Sequence, residues 1–238
     1  MSFLKVFVAT DRGKVRDTNE DSGAFVPPNM CVVADGMGGY AAGEVASRML
    51  VETFQERFSA QMDTVGEESL RCVVLEANHK ILQTATENEE YRGMGTTVVA
   101  CQWDGRQVYW AHVGDSRLYL LRAGELKRIT HDHSFVQSLV DQGTITEREA
   151  EHHPKKNMLT RAVGVEENLI VDTGSFGVDA GDIFLLCSDG LTNMVDEAVI
   201  REALQEGPAD KARYLVDLAI QAGGFDNITA IVTEDHNV

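Results

Sequence analysis

The sequence predicts an α+β fold in which two antiparallel β-sheets are covered by pairs of helices. Three observations carry the prediction: strand-forming stretches come in runs, helical stretches come in pairs, and the regular strand-helix-strand alternation of a parallel sheet is missing. A four-layer α-β-β-α sandwich fits this order. The 238 residues, 43 % of them hydrophobic, suffice for one sizeable core, so a single domain over residues 1–238 is expected.

The first strands are expected at residues 5–9, 22–26 and 31–34, the last a continuous apolar run typical of a buried strand. Apolar positions then recur at helical spacing over residues 42–58 and 67–85. Strands resume at 96–103, 107–113, 118–122, 170–176 and 183–187, with turn signals at Asp104-Gly105 and Ala123-Gly124. Helices over 196–205 and 209–222 precede a last strand at 228–232. Residues 129–164 break the pattern. They offer a short helix over 134–141 stopped by Gly143, a capping box pairing Thr146 with Glu149, and the polar run His152-His153-Pro154-Lys155-Lys156-Asn157. So long an insertion with so little apolar content reads as a surface subdomain or lid.

Composition excludes several functions. A net charge of −17 repels a phosphate backbone, and no basic stripe with interleaved aromatics is present, so nucleic-acid binding is not expected. No apolar run reaches the roughly 18 residues of a membrane helix, and Lys5, Asp11 and Arg12 interrupt the N-terminal stretch, so a cytoplasmic protein is expected, without a membrane partner. Cys31, Cys72, Cys101 and Cys187 lie apart in apolar surroundings and read as reduced core residues. His112, within a strand, reads as a satisfied core side chain, and Thr96 and Thr97 read as structural. His131, His133, His152 and His153 with Lys155 and Lys156 make one basic patch in an acidic chain, either a solvated loop or a contact for phosphopeptides.

Two segments nearly repeat each other: Val32-Val33-Ala34-Asp35-Gly36-Met37 and Leu186-Cys187-Ser188-Asp189-Gly190-Leu191. In each a buried strand ends on an Asp whose following Gly permits a sharp backbone exit. Gly114-Asp115-Ser116-Arg117 ends a third strand similarly, and Phe225-Asp226-Asn227 opens the last one. Taken singly, each is ordinary turn punctuation. Together they place four acids at strand ends, which in a sandwich can meet at one rim. Carboxylates so gathered repel one another unless protonated or bridged by cations, which argues for hard divalent metals with oxygen ligands. Glu20 and Asp21 add further acids, and Arg16 supplies a planar bidentate donor suited to phosphate.

Other chemistries fit less well. Gly36-Met37-Gly38-Gly39-Tyr40-Ala41 matches a dinucleotide-binding turn, but the residues where a second strand should end on an acid continue as helix. No Cys is followed six positions later by Arg, no D-x-D occurs, and the G-D-x-x-D, G-N-H and G-x-S-x-G motifs are absent, as is a calcium-binding D-x-[DN]-x-[DN]-G loop.

Arg16-Asp17-Thr18-Asn19-Glu20-Asp21, Asp35-Gly36-Met37-Gly38-Gly39, Gly95-Thr96-Thr97, Gly114-Asp115-Ser116-Arg117, Leu159-Thr160-Arg161-Ala162, Ser188-Asp189-Gly190-Leu191 and Asp226-Asn227, in this order, resemble the bacterial type 2C metal-dependent serine/threonine phosphatases. The resemblance spans nearly the whole chain. It implies the α-β-β-α sandwich, with residues 129–164 as a flap, and hydrolysis of phosphoserine and phosphothreonine by direct attack of a metal-bridging hydroxide. It implies Mn²⁺ or Mg²⁺, two core ions and a third. Asp35 would bridge the core pair, Asp189 and Asp226 would complete one site, and the Gly36 carbonyl would help the other. Glu20 and Asp21 would act through metal-bound waters, and Asp115 with Asp189 would hold the third ion. Arg16, Asp35 and Asp189 are the implied catalytic residues, and Arg16, His153 and Arg161 the implied substrate contacts. The implied partners are phosphoprotein substrates and a cognate Hanks-type serine/threonine kinase with its targets, met by a monomer. A regulatory pseudophosphatase is the alternative. One departure stands out: many eukaryotic members carry a histidine after the Asp-Gly pair to protonate the leaving alkoxide, and Met37 cannot. Water on the metal near Asp115 and a flap histidine such as His153 are the two candidate acids.

Overall fold

The computed structural model describes residues 4–38, 42–59 and 65–235. Gly39, Tyr40 and Ala41, part of the glycine-rich turn discussed above, lie outside the described residues. The chain begins with β1 (Leu4–Asp11), β2 (Asp21–Val26) and β3 (Met30–Met37), followed by α1 (Ala42–Ser59) and α2 (Glu67–Glu87). Next come β4 (Gly95–Thr96), β5 (Val98–Trp103), β6 (Gln107–Val113), β7 (Arg117–Arg122) and β8 (Glu125–Arg128). The insertion carries α3 (Phe135–Asp141) and α4 (Glu147–Glu151). The rest is β9 (Asp172–Gly177), β10 (Ile183–Cys187), α5 (Asp189–Thr192), α6 (Glu197–Glu206), α7 (Lys211–Gln221) and β11 (Ile228–Asp235).

One sheet runs β1-β11-β10-β7-β8; the other runs β2-β3-β5-β6-β9, with β4 paired to β3. All pairings are antiparallel. Successive strand residues point to opposite faces, so the three cores follow from the sequence alternation. Val32 and Ala34 of β3 join α1 and α2 residues such as Leu50, Phe54, Val74 and Ile81 in one core. Leu185 and Cys187 of β10 join Leu204 of α6 and Leu215 of α7 in a second. Between the sheets, Cys31, Val33, Val99 and Cys101 meet Leu118, Phe184, Leu186 and Ile231. Strands covered on both faces need apolar residues throughout, which is why residues 30–34 of β3 and all of β10 read as unbroken hydrophobic runs. These layers are the expected α-β-β-α sandwich.

Several local expectations are revised. β3 continues through Asp35 and Gly36, and neither Gly36 nor Gly190 has positive φ, so these glycines do not serve a sharp exit. They permit close approach instead. A Cβ on Gly36 would lie 2.1 Å from the Gly43 carbonyl oxygen of α1, and one on Gly190 would lie 1.9 Å from the Asn227 carbonyl oxygen. Cys72 is exposed on α2, whereas the other three cysteines are buried; all four are free thiols. His112 is fully buried, but neither ring nitrogen has a hydrogen-bond partner, so it is not a satisfied core residue. His133 is only 3 % exposed and belongs to no surface patch. Among the described residues no helix is long and apolar enough to cross a membrane.

The close approach gives a test. Gly190→Ala must displace backbone and should cost about 3 kcal/mol, seen as a lower urea midpoint with unchanged slope. Gly177→Ala, whose methyl would meet only the Arg106 carbonyl at 3.9 Å, should leave the midpoint nearly unchanged.

Candidate active site

Strand register brings the acids to one rim. Asp21 opens β2 and Asp35 lies near the end of β3, and the two are direct partners across the antiparallel pair. β10 ends at Cys187, opposite Ala230 near the start of β11, so Asp189 and Asp226 come from adjacent strand ends. Asp115 follows β6, whose last residue, Val113, faces Val98. Arg16 sits in the loop after β1.

Arg16, Glu20, Asp35, Gly36, Met37, Asp115, Asp189 and Asp226 line one pocket of about 210 Å³. Its remaining wall includes Gly38, Thr97, Asn157, Leu159 and Asn227. Asp21 stands behind this surface: it is 7 % exposed, and Ser188 Oγ donates to its Oδ2 at 2.7 Å while Oδ1 has no hydrogen-bond partner. The two expected flap contacts are not brought to the pocket. Arg161 is committed to Asp172 at 2.7 Å and to the Ile170 carbonyl. His153 packs on Phe135, ring centroids 6.0 Å apart, and its Nδ1 accepts from the Lys155 amide.

The backbone around the acids is tightly held. Asn227 Oδ1 accepts from the Glu20 amide at 2.8 Å, while its Nδ2 donates to the Arg12 and Thr18 carbonyls. The Glu20 carbonyl accepts from the Gly36 amide and from Ser47 Oγ. Thr97 Oγ1 accepts from the Asp35 amide at 2.9 Å and shares a hydrogen bond with Ser116 Oγ at 2.7 Å, linking the flanks of Asp35 and Asp115. Thr97 and Asn227 therefore position acids, a role that pattern reading missed; their places beside Gly95-Thr96 and Asp226 in the motifs were the available signal.

The electrostatics are those of crowded like charges. Burial, then the charges of Asp21, Asp189, Asp115 and Asp226, hold the Asp35 carboxyl well above the usual range. Asp115 is held well above it by burial and by Asp189, and Asp189 is raised by burial and by Asp226. Burial pushes Asp21 up to about 7 and also raises Glu20. The main local cation is Arg16, whose guanidinium donates to Asp226 at 2.9 Å and is half exposed at the pocket mouth.

This donor set fits hard divalent cations. It is all oxygen, it is short of positive charge, and Asp21 Oδ1 is a buried acceptor with no donor. Among the described residues no group of three or more His, Cys, Asp or Glu side chains is drawn together into a ready-made metal cage.

Comparison with known proteins agrees with the geometry. The chain is 41 % identical over 235 residues to the serine/threonine phosphatase stp of Listeria monocytogenes, covering 94 % of this chain and 93 % of that protein. Its fold matches the crystal structure of the Mycobacterium tuberculosis serine/threonine phosphatase PstP/Ppp with a TM-score of 0.90 and 40 % identity, over 97 % of this chain and 98 % of that one. The catalytic domain of PstP in complex with two manganese ions matches with a TM-score of 0.88 and 38 % identity, over 97 % of each chain. The protein phosphatase 2C family model matches residues 15–210, a span that holds the pocket acids from Glu20 to Asp189. With a rim of crowded carboxylates on a sandwich of this topology, and with these likenesses over almost its whole length, the chain belongs to the protein phosphatase 2C family.

Proposed function

We propose that the pocket hydrolyses phosphoserine and phosphothreonine esters of proteins with Mn²⁺ or Mg²⁺, two ions at the core and a third beside Asp115. The carrying observation is the convergence of Glu20, Asp35, Asp115, Asp189 and Asp226 under Arg16. The ions, when bound, neutralise phosphate charge and make water acidic enough to yield a nucleophile near neutral pH. Asp35, Asp189, Asp226 and the Gly36 carbonyl would hold the core ions. Glu20 and the orphaned oxygen of Asp21 orient bound water. Asp115 with Asp189 would hold the third ion. Arg16, at the pocket mouth beside Asp226, would grip the phosphate through its fork of donors.

Met37 lines the pocket where a proton donor would be useful, and His153 is turned into the flap. The leaving-group proton therefore comes from water held beside Asp115. Residues 129–164 act as the flap of a single catalytic unit, with Asn157 and Leu159 as its wall. The unit acts as a monomer. The substrates are products of a Hanks-type kinase, and the reaction belongs in the cytoplasm, where ATP supplies such kinases.

Phosphate release from a phosphothreonine peptide should require Mn²⁺ and cease with chelator; release that survives chelation would refute the proposal. Asp35→Asn should cut turnover by several orders of magnitude. In the chelated protein the same change should raise stability by about 1 kcal/mol, or about 2–4 °C in Tm, because it removes a repelled charge. A metal-free Asp35→Asn protein that melts below wild type would contradict the charge-crowding account.

Arg16→Ala should mainly raise KM, whereas Asp115→Ala should lower kcat with the core ions still bound. An aryl phosphate leaves as a stable phenolate and needs little protonation, so Asp115→Ala should harm phosphopeptide turnover much more than aryl phosphate turnover. A selective phosphopeptide loss in His153→Ala instead would move the acid to the flap.

A further inference from the structure

Asp115 hangs from a glycine with little stiffness of its own. Gly114 has φ +109°, and a Cβ there would lie 2.7 Å from Thr97 Cβ, so no residue with a side chain fits and the peptide must be held from outside. The holder is a histidine at the root of the flap. The Gly114 amide donates to His133 Nδ1 at 3.1 Å, and the His133 amide donates to the Gly114 carbonyl at 2.7 Å.

Because Nδ1 accepts, the ring proton is on Nε2, which donates to Asp172 Oδ2 at 3.0 Å. The other oxygen of Asp172 accepts from Arg161 at 2.7 Å. A chain of contacts thus runs from Arg161 through Asp172 and His133 to the peptide that carries Asp115. An imidazolium would have donors on both nitrogens and would lose the Gly114 contact. Burial disfavours it, lowering the pKa of His133 and taking that of His112, whose ring lies 4.7 Å away, down to about 3. On the same segment, Arg117 holds Asp132 with a bidentate contact, so residues 114 and 117, on either side of Asp115, are both tied to residues 132–133.

We infer that His133 is a positioning residue for Asp115: by fixing the Gly114 peptide through reciprocal hydrogen bonds, it sets the affinity of the cation held beside Asp115 and ties that site to the flap root. The inference rests on the reading of Asp115 given above. Partners that orient a metal ligand typically change metal affinity by about 10–100-fold when removed.

Calorimetric Mn²⁺ titration of the full chain tests it, with wild type, Asp115→Ala, His133→Gln and His133→Asn. Asn can present an acceptor at the Nδ1 position, whereas Gln presents its amide near Nε2 and cannot. His133→Gln should weaken, by about tenfold or more, the binding step that Asp115→Ala abolishes, and should leave the tighter steps intact. His133→Asn should restore most of that affinity, which a merely structural role would not predict. An unchanged isotherm in His133→Gln, or equal losses in Gln and Asn, overturns the inference. Should His133→Gln not fold, Asp172→Asn must weaken the same step; if it does not, the inference fails. Intact binding steps in Asp115→Ala would instead refute the cation reading of Asp115, and the inference with it.

Discussion

Carboxylates crowded at one rim of the sandwich repel one another, and the rest of the site is arranged around that repulsion. Asp35 has Asp21, Asp189, Asp115 and Asp226 as charged neighbours, and burial sharpens every one of those interactions. A fold can keep such a group only if something rigid holds the acids apart and something positive arrives to offset them. Rigidity comes from the two sheets. Asp21 and Asp35 are register partners, and the strands that end near Asp189 and begin near Asp226 are hydrogen-bonded neighbours. Positive charge is scarce in the pocket beyond Arg16, so divalent cations are the natural complement.

Precision at this rim comes from neutral side chains. Asn227, Ser188, Ser47 and Thr97 make the hydrogen bonds that fix the backbone of Glu20 and Asp35, the carboxylate of Asp21 and the segment after Asp115. Ser188 is representative: its Oγ donates to Asp21 and accepts from the Thr229 amide, bridging the two sheets beneath the pocket. Short hydroxyl and amide groups suit this task, because they satisfy buried backbone polar atoms without adding charge to a site that already has too much. The glycines do complementary work. Gly36 and Gly190 let neighbouring backbone come closer than any side chain allows, drawing α1 onto β3 and α5 onto the start of β11.

The flap is joined to this frame at both roots. Its first root is stitched to residues 114–118 through His133, Thr130 and Asp132, and its second root pairs Val163 with Thr96 beside the Asp35 strand. Arg161, expected at the substrate, lies in this stitching: its guanidinium is turned to Asp172, so its influence on the pocket runs through the flap roots. Asn157 and Leu159, between the roots, are the flap residues that reach the pocket wall. A segment that lines the pocket and is mounted on roots so close to Asp35 and Asp115 places its position and the acid geometry in one connected structure.

Much of this was legible in the sequence, and for stated reasons. Buried strands announce themselves as apolar runs, amphipathic helices by their spacing, and strand-end acids by the repeated Asp-Gly segments, because burial on one or both faces constrains residue type locally. The fold class followed from strands grouped in runs and helices grouped in pairs, while the four layers were implied by the family resemblance. What the sequence could not decide was direction. Whether Arg161 faces substrate or Asp172, whether His133 lies on the surface or under Gly114, and whether Asp21 lines the pocket or supports it depend on contacts between residues far apart in the chain. Side-chain orientation at the end of a strand is set by register and by the neighbours that packing supplies, so residue types and their spacing determined that acids stand at strand ends, and only the tertiary structure decided which groups meet and which of them face the pocket.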